Sequence, residues 1–420
     1  MKKVFLTLFA VLLAVPAFAV EVYNNGDNSV GIYGHVRGYM GYGMGMNGGS
    51  ADNNGTVTTV DPTFGHQMFY GVQGNTRIGT NIKLGNFTAQ FELGANEKTL
   101  LSQQYNAVGL RQAWAAYTFG NGSRLLVGKT DTPTAMSGFN SSIYDTDNGL
   151  NGFGGSPTGV RRFQVQYSIA GLTLALIEDD MNYANGGAAL GITDFNDANT
   201  PYTPRAAISY VFQNDSLLAK IAATYTAVNG YYTDNANKQA WTNLHAFGVA
   251  LGVKPTFGNM WVGVHARYGM NEDLYGEGGT YYNNGSFGHT NLSKWDGTGI
   301  YNAKLNTAKD GSFNNIHRAG AAVEFGMKAT EAFTFIVGGG YQATIPELEE
   351  VAGVEQSHLV HSYAVFLQGQ YAFNQNFALV PEIAWFGSVD ATSQTAGGVT
   401  NKASQYQNGL LVGLQFRANF

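Results

Sequence analysis

Cysteine is absent from the 420-residue chain, which rules out disulfides and thiolate metal sites. An exported protein that stays unfolded in transit gains by lacking thiols that could cross-link. Charged residues make up only 12% of the sequence, and no basic cluster appears, which argues against nucleic acid as a partner. Beyond the first nineteen residues no apolar run approaches the ~20 residues that a spanning helix needs. Any membrane residence must therefore be by strands. Catalytic signatures are missing as well. There is no HExxH, P-loop or GxSxG elbow, and GNMWVG at 258–263 is not a phosphate loop. No enzymatic activity and no cofactor are expected, and no EF-hand spacing supports a Ca²⁺ site.

What is present begins with a leader. Lys2 and Lys3 precede an apolar core from Val4 to Val15, and Ala17-Phe18-Ala19 forms a small-x-small cleavage site. This reads as a secretory signal over 1–19. Removing its two lysines changes the formal charge from −6 to −8, a slight bias toward cations as partners. Glycine (56), tyrosine (24) and phenylalanine (26) are abundant, yet the mean hydropathy is −0.13. A transmembrane barrel reconciles greasy composition with polar average, because only alternate residues meet lipid. No linker or composition break divides residues 20–420, so one domain is expected.

The alternation is plainest at 409–420, GLLVGLQFRANF. Leu410, Val412, Leu414, Phe416, Ala418 and Phe420 share one face, and the residues between them are mostly polar or small. Similar runs recur along the chain, many joined in pairs by short turns such as Gly85-Asn86, Ala170-Gly171 and Asn374-Gln375-Asn376. The pattern predicts an all-β, antiparallel transmembrane barrel of sixteen strands, with short turns on one rim and long loops on the other. Eighteen strands result if the 270–316 loop conceals a hairpin. Residues 41–67 read as a loop. Phe87, Phe333, Phe373, Phe377 and Phe420 fall in the apolar phase beside short turns or the terminus, as an interfacial aromatic girdle requires.

Several runs resemble the general porins of Gram-negative outer membranes. EVYNNG followed by IYGHVRG is similar to their first strand, and the chain's last Phe resembles their assembly signal. The third long loop, 130–160, has a Gly-Lys strand end, a Thr-Pro, a Tyr-Asp-rich centre and a Gly-Gly before Arg161-Arg162 and FQVQY. The resemblance implies that this loop folds inward and narrows a water-filled pore, with loop acids facing basic residues on the opposite wall. Carried over by matching runs, the basic wall is Arg77 in NTRIG, Arg111 in LRQAW and Arg162, with His35 or Arg37 as a further rung. The acids are Asp145 and Asp147, with Asp131 less favoured. The sequence departs from the family where Ser156-Pro157 follows Gly155 in place of an acid. The resemblance further implies a homotrimer latched by the loop 96–109, passing small hydrophilic solutes and ions, surrounded by outer-membrane lipid.

Alternation alone sends Arg37, Arg77 and Arg162 to the water face, since an arginine facing mid-bilayer lipid costs roughly 2–4 kcal/mol. Glu92, Lys220, Arg267, Arg318, Glu324, Glu382 and Arg417 take the same phase and read as plain lumen lining, as does His265. His245 falls in the apolar phase and reads as a rim or subunit-contact residue. Three other readings stand beside the general porin: a substrate-selective channel of the same architecture, an outer-membrane barrel enzyme and, further away, a barrel that serves as adhesin or envelope anchor.

Overall fold

A computed structural model of the chain describes residues 20–51, 57–60, 67–95, 108–143, 161–178, 204–233, 239–270, 304–305, 313–346, 354–396 and 399–420. In chain order its strands are β1 (Val20–Asn24), β2 (Asn28–Ala51), β3 (Val57–Val60), β4 (Gln67–Val72), β5 (Arg77–Leu84), β6 (Phe87–Ala95) and β7 (Val108–Thr118). There follow β8 (Arg124–Asp131), β9 (Arg161–Ile169), β10 (Leu172–Ile177), β11 (Arg205–Gln213), β12 (Leu217–Thr233), β13 (Gln239–Phe257) and β14 (Met260–Met270). The last seven are β15 (Lys304–Leu305), β16 (Phe313–Asn314), β17 (Ile316–Lys328), β18 (Phe333–Pro346), β19 (Val354–Ala372), β20 (Phe377–Ala396) and β21 (Val399–Asn419).

Every neighbouring pair is antiparallel, and β2 closes the ring by pairing with β5 on one side and β21 on the other. The closed circuit has sixteen strands, running from β2 through β5–β14 and β17–β21. β14 pairs directly with β17, from Met260↔Met327 to Met270↔His317. The two-residue ladder of β15 and β16 stands outside the sheet. The barrel therefore has sixteen strands and not eighteen.

The expected loop at 41–67 needs correcting. β2 continues to Ala51, and β3 and β4 return alongside it, with β4 prolonging the line of β5 on the same edge of β2. Gly41-Tyr-Gly-Met-Gly-Met offers no polar alternate residue to reveal a strand. Pairing with β21 supplies what the local pattern lacks.

The polarity of the wall is inverted relative to a soluble protein. Ile221, Leu251, Val323, Leu367 and Val412 are exposed on the outer face, while Glu92, Gln164, Gln368 and Gln415 are buried on the inner one. All five girdle phenylalanines are exposed, and Phe373 and Phe377 meet at 5.5 Å between ring centroids. Within the sixteen-strand circuit each strand is paired on both sides over its central rows, as a sheet that crosses a bilayer requires.

Candidate functional site

The interior is organised by the segment after β8. Residues 132–143 leave the wall and cross the lumen toward β12–β14 and β17–β21, where the opposite wall holds them by side chains. Glu324 accepts from Ser141 N at 2.6 Å, from Ser141 Oγ at 2.7 Å and from Trp261 Nε1 at 3.0 Å. Glu382 accepts from Ser142 Oγ at 2.8 Å, Ile143 N at 2.9 Å and Gln368 Nε2 at 2.7 Å. Buried carboxylates are tolerated when donors surround them in this way. Loop carbonyls are capped in turn: Lys220 Nζ donates to Ala135 O at 2.6 Å, Lys254 Nζ to Gly138 O at 2.9 Å and Gln368 Nε2 to Ser141 O at 2.9 Å.

Packing completes the anchorage. Met136 and Phe139 are fully buried against Ala250 and Leu218. Ile143 joins Tyr39, Phe366, Phe386 and Leu411 in a second apolar cluster inside the wall. The close approach needs glycine at 263, because a Cβ there would lie 2.3 Å from the Phe139 carbonyl oxygen. The inward-folded third loop expected from the sequence is thus observed over its first half. Asp145 and Asp147, in its second half, lie outside the described residues.

The wall from β5 to β9 carries Arg77, Arg111, Arg161 and Arg162. Arg77 Nε stands 3.3 Å from Glu92 Oε2, and Arg111 Nε donates to Glu92 Oε1 at 2.9 Å. Tyr33 OH donates to the same carboxylate at 2.8 Å. Arg111 reaches this position through a β-bulge. Glu92 pairs with Gln112 but Leu93 with Leu110, leaving Arg111 as the extra residue. Strict alternation from Gln112 would have aimed it outward; the bulge turns it into the lumen. Its stem crosses Gly94, where a Cβ would lie 2.0 Å from Arg111 Cδ.

The other predicted residues disperse. Arg37 turns toward β21 and donates to Asn419 Oδ1 at 2.8 Å. Arg162 lies on β9 opposite Thr130. Its neighbour Arg161, which sequence reasoning passed over, forms the ion pair with Asp131 at 3.4 Å. Glu92, Glu324 and Glu382, read as plain lining, prove to be the organising carboxylates of the interior. Their partners lie up to 240 residues away in sequence, so no local signal could have named them. His245 is on the outer face as expected, hydrogen-bonded to Tyr225 OH at 2.8 Å. The same arrangement recurs with Tyr268 and His317 at 2.8 Å, and with Tyr341 and His361. Among the described residues no group of three or more His, Cys, Asp or Glu could hold a metal ion.

Comparison with protein families and with curated proteins gives no match. Comparison with solved structures does. The outer membrane channel DcaP of Acinetobacter baumannii superposes with a TM-score of 0.58 at 17% identity, covering 94% of this chain and 99% of that one. This chain folds as a porin barrel. The anion-selective porin from Comamonas acidovorans gives a TM-score of 0.50 at 13% identity, covering 94% of this chain and 100% of that one. Identities this low establish the fold alone.

Proposed function

We propose that the protein is an outer-membrane channel through which small hydrophilic solutes and ions diffuse passively. The observation that carries this reading is the closed barrel with an apolar exposed exterior, a polar interior and a loop segment held across the lumen. A surface of that polarity requires a bilayer around it, and strands are the only non-helical backbone that can span one. The lumen aromatics Tyr39, Phe366 and Phe386 are packed beneath the loop, which favours sieving over a substrate-selective aromatic track.

In this reading the leader 1–19 is removed on export, and 20–420 assembles as a homotrimer in the Gram-negative outer membrane. The latching segment 96–107 lies outside the described residues. Deleting 97–106 should loosen the trimer without unfolding the barrel, checked by thermal dissociation on gels. The constriction would set Arg77, Arg111 and Arg162, with Arg37 further along the wall, against Asp145 and Asp147 on the loop. Fixed charges in a narrow, low-dielectric passage act strongly on ions.

Protein-loaded liposomes should swell in small sugars, and planar bilayers should show steps of conductance. Folded barrels that do neither, or that hydrolyse lipid, would overturn the channel reading. Asp145→Asn with Asp147→Asn should shift reversal potential toward anions, and Arg77→Gln with Arg111→Gln toward cations. A general loosening of the pore would move both variants alike, so opposite signs are the diagnostic result.

A further inference from the structure

Between the root of the loop and the short-turn rim, four adjacent strands bring together lumen side chains to which the channel reading gives no task. Thr88 and Gln90 come from β6, Trp114 from β7, Arg124 from β8, and Gln166 and Ser168 from β9. Register sets Gln90 opposite Trp114, Trp114 opposite Gly128, Leu126 opposite Gln166 and Arg124 opposite Ser168. Alternation places all six on the inner face. Trp114 is half-buried, and its Nε1 donates to Gln112 Oε1 at 3.0 Å. The Arg124 guanidinium lies over the indole, 4.8 Å from the ring centroid, as a cation on an aromatic face prefers.

The hydrogen bonding around this indole is incomplete in a specific way. Gln166 Nε2 donates to Gln164 Oε1 at 2.8 Å and to Asp131 O at 3.2 Å, and Gln90 Nε2 donates to Tyr33 OH. These bonds fix both amide planes, yet neither amide oxygen accepts a hydrogen bond from the described residues. Thr88 Oγ1 and Arg124 Nη2 are buried without a hydrogen-bond partner among the described residues, a state that costs stability. Both belong to half-buried side chains, so a change of rotamer brings them to a solute. The wall thus sets oriented acceptors and unsatisfied donors around one aromatic ring. A carboxylate would be repelled by the amide oxygens, and an ammonium group by Arg124. A hydroxyl both donates and accepts, and a sugar ring carries several of them around an apolar C–H face that can pack on an indole.

We infer that this stretch of wall is a binding station for a neutral, hydroxyl-rich ring, a mono- or disaccharide, on its way through the pore. The inference rests on the channel reading and deepens it. β6 and β9 are three strand spacings apart, about 14 Å, and inward-leaning side chains shorten that span to the length of one or two sugar rings. The station is a single platform on a path that otherwise sieves, since Tyr39, Phe366 and Phe386 are packed under the loop.

The test uses the full mature chain refolded into planar bilayers in KCl, with glucose added on the side of the short turns. Glucose should depress the ion current along a saturable curve, whereas an ethylene glycol oligomer of equal mass should depress it only in proportion to concentration. Glucuronate and glucosamine, which carry the same ring with a negative or a positive charge, should need several-fold more to reach half-saturation. Trp114→Leu and Gln166→Leu should each raise the half-saturating glucose concentration several-fold, while Trp114→Phe keeps it within about twofold because it keeps the aromatic face. The unmodified protein decides the matter even if a variant fails to fold. A glucose effect that does not saturate, charged rings that bind as well as glucose, or folded variants that behave like the unmodified protein would overturn the station and leave the channel reading intact. Folded barrels without any current would overturn the channel reading itself, and this inference with it.

Discussion

Glu324 and Glu382 show what one side chain does in this interior. Each takes its donors both from the loop segment and from the wall, so each ties a structure that would otherwise hang free in the lumen. Hydrogen bonds to a charged partner contribute about 1.5–3 kcal/mol each, well above the contribution of an exposed ion pair. Replacing both by glutamine keeps the shape but weakens the charge-assisted bonds to Ser141, Ser142 and Ile143 N. The double variant should lose on the order of 3 kcal/mol of stability, read as a lower unfolding temperature in detergent. Its single-channel current should become larger and noisier as the segment leaves the wall. Unchanged noise together with unchanged stability would mean that the apolar contacts of Met136, Phe139 and Ile143 hold the loop by themselves.

At the scale of elements, two devices shape the interior: the bulge in β7 that turns Arg111 inward and the glycines on which the loop rests. Gly263 tests the second. Gly263→Val would drive a side chain into the Phe139 backbone, which approaches that position to within 2.3 Å of where a Cβ would lie. The strand itself should tolerate valine, which suits a pleated surface. We therefore expect barrel closure to survive while the loop is displaced, seen as altered conductance with normal heat-dependent gel migration. The sixteen wall strands were legible in the sequence because lipid outside and water inside enforce a period of two. β2 beyond Met40 was not legible, because Gly, Tyr and Met alternate there without a polar phase. The inward aim of Arg37, Arg77 and Arg162 followed from alternation. That of Arg111 depends on a one-residue register shift that only the pairing with β6 reveals. The matching runs indicated the loop's inward course, but not its anchors, since contacts across a lumen leave no local spacing to read.

The whole molecule depends on closure, and its two ends contribute differently to it. β21 pairs with β2 from Ala51↔Ser404 to His35↔Asn419, and with β20 over its other edge. It is the strand that makes a sheet into a barrel. β1 lies beyond the end of β21 on the same edge of β2, matching only Ser29 to Ile32. Removing 409–420 would expose unpaired backbone on both β2 and β20 to hydrocarbon, where each unsatisfied group costs several kcal/mol. Removing 20–24 would expose only the short rim segment of β2, outside the closing ladder. Both deletions can be refolded from denaturant, which separates folding from export. The form lacking 20–24 should still show mainly β circular dichroism and migrate faster on gels unheated than boiled. The form lacking 409–420 should show neither property. If both fold alike, closure does not depend on the last strand, and the sixteen-stranded circuit is not the unit that folds. If both fail, β1 contributes more to the closing seam than its four matched residues account for.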